Sequence, residues 1–171
     1  MLEALAEKVN WAPSKSPSGR GYGVACGIDA GAYVAHMADV EVDKDTGIVR
    51  VKKVTCAQDM GLVINPQGAT VQVEGCITMG LGYALSEEIQ FEGGKINNRN
   101  FDSYTIPKFS WTPEIVTELL DLTDEPAQGG GEPAIICMGA LIANAVFDAT
   151  GARLYQLPMT PERVLNALSE T

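Results

Sequence analysis

A glutamate that follows three glycines is the residue whose neighbours best suit it for chemistry. Glu132 lies in the stretch "PAQGGGEPA", where Gly129, Gly130 and Gly131 precede it and a long apolar run follows. Glycines let a backbone pass close to a ligand, and the dipole of a following helix favours a carboxylate at its start. Two interpretations stay open on these residues alone: a flexible linker with an incidental acid, or a backbone that presents Glu132 as a general base.

Other residues that could take part in chemistry also have ordinary explanations. Gln72 and Glu74 suit solvent-facing positions of a helix, and Met79 suits a core position. His36 is the single histidine and lies in an apolar strand. No serine or cysteine is marked as its partner, so we expect a hydrogen-bonded structural histidine rather than a catalytic one. The stretch "GRGYGVACG" lacks the lysine and the strand–loop–helix context of a phosphate-binding loop.

The composition and net charge argue for one globular domain and against some classes of binding partner. The 171 residues are 46% hydrophobic and 20% charged, which is enough apolar material for the core of one domain and argues against disorder. The net charge of −10 argues against nucleic acid or an anionic membrane as the main partner. A phosphate-bearing cofactor stays compatible with that charge, because glycine-rich backbone can bind phosphate.

The N-terminal segment and the longest apolar stretch indicate in which cellular compartment the chain is expected. "MLEALAEKVNW" is a short acidic amphipathic segment, unlike a secretory leader. The apolar stretch 135–147 is too short to span a bilayer. We therefore expect a soluble, cytoplasmic chain without a membrane segment.

The four cysteines are widely scattered, at Cys26, Cys56, Cys76 and Cys137. No pair has the C-x-x-C spacing of a zinc ribbon or a ferredoxin-type cluster, so we expect no metal ligands among them. Scattered cysteines in a chain of this size are typical of buried thiols in a reducing compartment.

The N-terminal half is predicted to change from helix to strand. Residues 1–10 have helical periodicity, 12–21 form a proline-, serine- and glycine-rich linker, and strands begin at Tyr22. A hairpin is expected to turn at 43–47, and "INPQ" at 64–67 then breaks the strand.

A helix over about 68–88 would carry Gln72. Gly75, Gly80 and Gly82 would each cost an exposed helix about 1 kcal/mol relative to alanine, so they predict that its backbone packs tightly against something.

Hairpin, strand and helix signals also run through the C-terminal half. A second hairpin is predicted to turn at Gly93-Gly94, and 114–122 is a strand candidate leading to the glycine run. A helix over about 134–150 should end at Gly151, and a last helix should begin at Thr160. Interleaved strands, hairpins and helices predict an α+β fold, with a mixed, mostly antiparallel sheet packed against helices in two layers.

Four blocks of the sequence together carry a family resemblance. They are, in order, "GIVRVKKVTCAQDMGLVINP", "VQVEGCITMGLGYALSEE", "GGGEPA" and "ALIANAVFDATGARLYQLPMTPERVLNAL". This ordered set resembles the C-terminal part of the molybdopterin-binding subunit of the xanthine dehydrogenase / aldehyde oxidase family of molybdenum hydroxylases. The resemblance covers roughly residues 20–170, so we divide the chain into an N-terminal helix and linker (1–21) and a C-terminal molybdopterin-binding domain (22–171).

The resemblance implies roles for particular residues. Glu132 matches the family's active-site base, and the backbone of Gly129, Gly130 and Gly131 matches the segment that passes beside the molybdenum. Gln72 matches a glutamine that contacts the pterin, and Gly75 lies in the same motif. The family holds its metal through the pterin, so no protein side chain is expected as a metal ligand.

The resemblance also implies an activity and partners. It implies an oxidoreductase that hydroxylates an aldehyde or an N-heterocycle with oxygen from water, using molybdopterin in mono- or dinucleotide form. The remaining half of the molybdenum domain, an iron–sulfur subunit and a flavin (FAD) subunit would be its partners. This chain is too short to contain them and is expected to be inactive alone.

This chain departs from the family's pattern at two residues. Many relatives have glutamine where this chain has Met79, and Gly130 occupies the variable place between the motif's glycines. Met79 and the missing partners support an alternative hypothesis, a non-catalytic scaffold or interaction domain that kept the fold and lost the cofactor.

Overall fold

The computed structural model describes residues 1–10 and 19–171. Most of the linker expected over 12–21 therefore lies outside the described residues. Four α-helices, six strands and two short 3-10 helices follow one another in this part of the chain. Their bounds are α1 Leu2–Lys8, β1 Arg20–Asp29, β2 Ala32–Val42, β3 Val49–Asp59, α2 Pro66–Leu85, β4 Phe91–Glu92, β5 Lys95–Ile96, a 3-10 helix Phe109–Trp111, β6 Glu114–Leu120, a second 3-10 helix Pro133–Ile135, α3 Met138–Thr150 and α4 Pro161–Ser169.

The main sheet has four strands in the order β1-β2-β3-β6. The pairs β1–β2 and β2–β3 are antiparallel, whereas β6 pairs in parallel with β3 from Lys53↔Glu114 to Asp59↔Leu120. The expected hairpin turn follows β2, where Asp43 Oδ1 accepts hydrogen bonds from two backbone N–H groups of the turn. The predicted α+β class with a mixed, mostly antiparallel sheet is confirmed.

Helices α2 and α3 cover one face of the sheet and enclose the core. Two glycines of β1 let α3 approach closely, since a Cβ added at Gly23 would clash with the carbonyl oxygen of Leu141. Leu141 is fully buried in this core. Helix α1 packs on a second, smaller cluster through Leu5, against Ala35 and Ala57.

Helix α2 begins two residues before the predicted start. Asn65 caps it by accepting a hydrogen bond from Gly68 N–H at 2.9 Å, and Pro66 occupies the first turn. The break read at "INPQ" is thus also a helix start, and asparagine followed by proline is the signal for it.

The three glycines of α2 differ in what they pack against. A Cβ at Gly80 would lie 2.5 Å from Met138, and one at Gly82 would clash with the Glu87 carboxylate, so close packing is confirmed for both. A Cβ at Gly75 would meet nothing within 4 Å. Nothing among the described residues packs closely against Gly75, so for this glycine the expected close contact stays a prediction.

The helix predicted after the glycine run is divided into two. A 3-10 turn over Pro133–Ile135 precedes α3, and Gly151 ends α3 in a left-handed conformation as predicted. By length and composition alone, the segment 133–150 could cross a membrane. Within the fold 56% of it is buried, as is typical of a core helix.

All four cysteines are free thiols. Cys56, Cys76 and Cys137 are buried as expected, whereas Cys26 is exposed. Burial raises the pKa of each buried thiol, that of Cys137 to about 11.

Residues 86–113, which connect α2 to β6, are called the excursion below. The excursion contains the predicted hairpin at Gly93-Gly94, formed by β4 and β5, and a 3-10 helix next to β6. The excursion contributes no strand to the main sheet.

Candidate functional site

The glycine run crosses one end of the sheet. Gly129 N–H donates to the carbonyl oxygen of Ala30, in the β1–β2 turn, at 3.1 Å. One residue earlier, Gln128 N–H donates to the carbonyl oxygen of Met60, just after β3, at 2.8 Å. Backbone hydrogen bonds to the β1–β2 turn and to the residue after β3 therefore fix the position of the glycine run.

Side chains from β3 and α2 hold the next two carbonyl groups. Gln58 Nε2 donates to the Gly130 oxygen at 3.3 Å. The Gly131 oxygen accepts from Gln72 Nε2 at 3.4 Å and from the Cys76 thiol at 3.1 Å. The glycine run is thus bound at every residue, unlike a flexible linker.

Steric contacts explain why this segment is glycine-rich. A Cβ at Gly129 would lie 2.5 Å from the Cβ of Ala30, and one at Gly130 would lie 2.5 Å from the Met60 Cε. At Gly131 the nearest atom would be Gln72 Nε2, at 3.2 Å. Only a backbone without side chains lies this close to its three neighbours, although the flexible Met60 leaves the most room for a change.

Glu132 is exposed between two fixed pieces of backbone. It is the N-cap residue of the 3-10 helix Pro133–Ile135, yet its side chain makes no capping hydrogen bond. Pro133 and Ala134 are buried directly after it. The Tyr83 hydroxyl then donates to the Ile135 oxygen at 2.8 Å and accepts from Gly139 N–H at 3.0 Å, which joins the 3-10 helix to α3.

The structure brings some of the predicted site residues together and separates others. Gln72 contacts the glycine run directly, at the residue before Glu132. Gly75 instead lines an open groove of about 610 Å³ together with Glu74 and Met79. Met79 is 59% exposed, so the core position suggested for it is wrong.

His36 is a structural histidine of an unexpected kind. Its side chain is fully buried, and neither ring nitrogen has a hydrogen-bond partner within the part of the chain that is described. The expectation of a hydrogen-bonded histidine is therefore wrong. Desolvation by burial lowers the pKa of His36 to about 4, so the ring is neutral near pH 7.

Two residues that donate hydrogen bonds to the glycine run, Gln58 and Cys76, were not predicted from the sequence as site residues. Gln58 is fully buried at the end of β3, and its Oε1 has no partner among residues 1–10 and 19–171. Cys76 was treated only as a buried thiol. A glutamine directly after Cys56 and Ala57 near the end of β3 is the available signal, because a buried amide needs a specific partner.

A family model described as the molybdopterin cofactor-binding domain matches residues 4–113. The chain belongs to this family. The matched span includes Gln72 and Gly75 and ends before the glycine run and Glu132.

Two curated relatives match nearly the whole chain. The chain is 35% identical to a nicotinate dehydrogenase subunit of Pseudomonas putida, over 98% of this chain and 16% of that protein. It is 37% identical to a membrane-bound aldehyde dehydrogenase [pyrroloquinoline-quinone] of Gluconacetobacter polyoxogenes, over 98% of this chain and 22% of the relative.

A solved structure shows the same fold. Quinoline 2-oxidoreductase from Pseudomonas putida 86 superposes with a TM-score of 0.75 at 31% identity, covering 81% of this chain and 19% of that one. The chain thus spans about a fifth of the length of the proteins that it matches.

Proposed function

We propose that this chain is the C-terminal cofactor-binding part of a molybdenum hydroxylase, which hydroxylates an aldehyde or an N-heterocycle with oxygen from water. The observation that carries the proposal is an exposed carboxylate, Glu132, on a backbone held by hydrogen bonds on one side and burial on the other. A catalytic base needs such a fixed position, because proton transfer depends on hydrogen-bond distance.

The residues at the glycine run fit a molybdopterin. No group of three or more His, Cys, Asp or Glu side chains among the described residues could hold a metal ion. A metal here would need ligands from elsewhere, and a pterin provides them. The Gln72 amide and the backbone of 129–131 would contact the pterin, while the loaded cofactor would supply the electron-accepting chemistry.

Glu132 has a defined task in this proposal. Its carboxylate oxygens accept the proton that the water-derived oxygen loses as it attacks an electron-poor carbon. Gln72 and Cys76 contribute by fixing the carbonyl of Gly131, the residue immediately before the base.

The complete enzyme needs more than this chain. We infer that the remaining half of the molybdenum domain completes the cofactor site and supplies most substrate contacts, so the chain alone is inactive. Electrons would leave through an iron–sulfur subunit and, where present, a flavin subunit, all in the cytoplasm. The relatives support the subunit character, since one is named a subunit of a nicotinate dehydrogenase.

The replacement Glu132→Gln in the complete enzyme tests the base. Turnover should fall by about 10²–10⁴-fold, the contribution typical of a general base, while molybdenum content stays near normal. Glu125→Gln is the matched control, because Glu125 is an exposed carboxylate of the same connection whose backbone N–H bonds to Leu122 instead of to the glycine run. Wild-type turnover in Glu132→Gln would refute the role.

The scaffold hypothesis makes the opposite prediction for the metal. Met79, exposed in the groove beside Gly75, is the observation that favours it. Molybdenum should be measured in the chain recovered with its partners from source cells. Near-stoichiometric metal supports the enzyme, whereas an intact complex without molybdenum means that the domain has lost its cofactor. An organic quinone in the preparation would instead point to the cofactor named for one relative.

A further inference from the structure

The excursion exposes large apolar side chains to an unusual degree. Three of the chain's four phenylalanines lie in it, and Phe109 is 95% exposed. Single exposed apolar residues are normal on a protein surface, but a concentration of them marks an interaction site. The exposed apolar residues of the excursion are Ile89 (52%), Phe91 (73%), Ile96 (50%), Phe101 (77%), Ile106 (46%) and Phe109.

A few polar side chains of the excursion hold its backbone through hydrogen bonds. Asn98 is only 9% exposed; its Oδ1 accepts from Gln90 N–H, and its Nδ2 donates to the Glu88 oxygen. The Tyr104 hydroxyl donates to the Glu87 carboxylate at 2.8 Å. These contacts fix the backbone at several points, while the large apolar side chains of the same segment stay exposed.

The base of the excursion is tied to the rest of the fold. Within the excursion, Ser86 Oγ, directly after α2, donates to the Thr105 oxygen at 3.0 Å. Arg163 of α4 forms an ion pair with Glu88 at 2.8 Å, in which both side chains are about two-thirds to three-quarters covered. The exposed apolar surface therefore lies on a fixed support.

We propose that the apolar face of the excursion packs against the remaining part of the molybdenum subunit, whether that part is joined to this chain or is a separate polypeptide. This inference rests on the proposed function, which requires such a part. The chain spans about a fifth of its relatives' length, so a large partner surface of the same subunit is implied. The excursion is nearly neutral, with four acidic and three basic residues, so it presents little of the charge that the −10 chain carries elsewhere.

Photo-crosslinking of the complex from source cells tests the proposal. The photoreactive analogue p-benzoylphenylalanine replaces Phe109, which is exposed enough that another bulky aromatic does not disturb the fold. The matched control carries the same analogue at Tyr155, an aromatic outside the excursion that is 92% exposed. If the Phe109 variant does not accumulate, the analogue replaces Phe101. Cross-linked peptides are identified by mass spectrometry, and molybdenum is measured in the same preparation.

The expected result is a clear excess of cross-links from position 109 over position 155, with the linked peptides belonging to the remaining part of the molybdenum subunit. Cross-links to a second copy of this chain, to an iron–sulfur or flavin subunit, or no excess over position 155 would overturn the proposal. Molybdenum without the expected cross-links refutes the surface alone. The expected cross-links without molybdenum refute the proposed activity and leave the surface standing.

Discussion

The sheet with its helices and the excursion differ in where their large apolar side chains lie. Between the sheet and α3, apolar residues such as Leu141 are fully buried. In the excursion, Asn98 is covered while Phe109 is almost completely exposed. The sheet and its helices bury their large apolar side chains within this chain, whereas the excursion leaves its large apolar side chains exposed. The difference separates a region that buries its large apolar side chains from a region whose apolar surface is open to a partner.

The largest effect that would sharpen this contrast is expected in the core. Leu141→Ala should lower the free energy of unfolding by about 2–5 kcal/mol, because it removes buried methyl groups and leaves a cavity. Urea unfolding of this chain measures the change. Leu165→Ala, at a position 37% exposed on α4, should cost clearly less. Equal losses in the two variants would contradict the core assignment.

A pH-dependent effect is expected from His36, also in the core. Burial lowers the pKa of His36 to about 4, below the usual 6.5, so the unfolded chain binds the proton first as the pH falls. The stability contributed by the neutral ring is complete above about pH 6.5 and is lost towards pH 4. The loss should approach about 3 kcal/mol.

The variant His36→Leu is the control for that prediction. Both ring nitrogens of His36 lack hydrogen-bond partners among the described residues, so an apolar replacement leaves no other group without its partner. Its free energy of unfolding should depend less on pH between 6.5 and 4 than that of the wild type. An unchanged slope in urea titrations at several pH values would assign the acid sensitivity to other groups.

The smallest effect is expected in the excursion. Phe109→Ser should change the free energy of unfolding of this chain by less than about 0.5 kcal/mol, as for ordinary surface substitutions. The measurement is the same urea titration. A loss comparable to that of Leu141→Ala would break the contrast, because it would mean that Phe109 is already packed within the chain.

Local signals predicted most of the fold. The hairpin turn after Asp43, the left-handed Gly151 at the end of α3 and the N-cap Thr160, which accepts from Arg163 N–H, all depend on residues within a few positions. Such features are determined by short stretches of sequence, so periodicity and turn residues are sufficient to find them.

Features that join residues far apart in the chain could not be predicted from the sequence. The parallel pairing of β3 with β6 joins strands separated by α2 and the whole excursion. Gln58 and Gly130 are likewise 72 positions apart in the chain, so no local pattern connects them. For the site, the sequence predicted a presented carboxylate at Glu132, but the side chains that hold its supporting backbone became visible only in three dimensions.

Cys26 has a practical consequence for experiments on this protein. It is the exposed thiol of the four, while burial suppresses the thiolate form at the other three. It neighbours Gly27, at which an added Cβ would lie 2.6 Å from the Ile136 side chain, so it lies near the start of α3, just beyond the connection that carries Glu132. A maleimide fluorophore should therefore attach at one place in the unmodified sequence and report, by its emission, on what binds at that edge of the sheet.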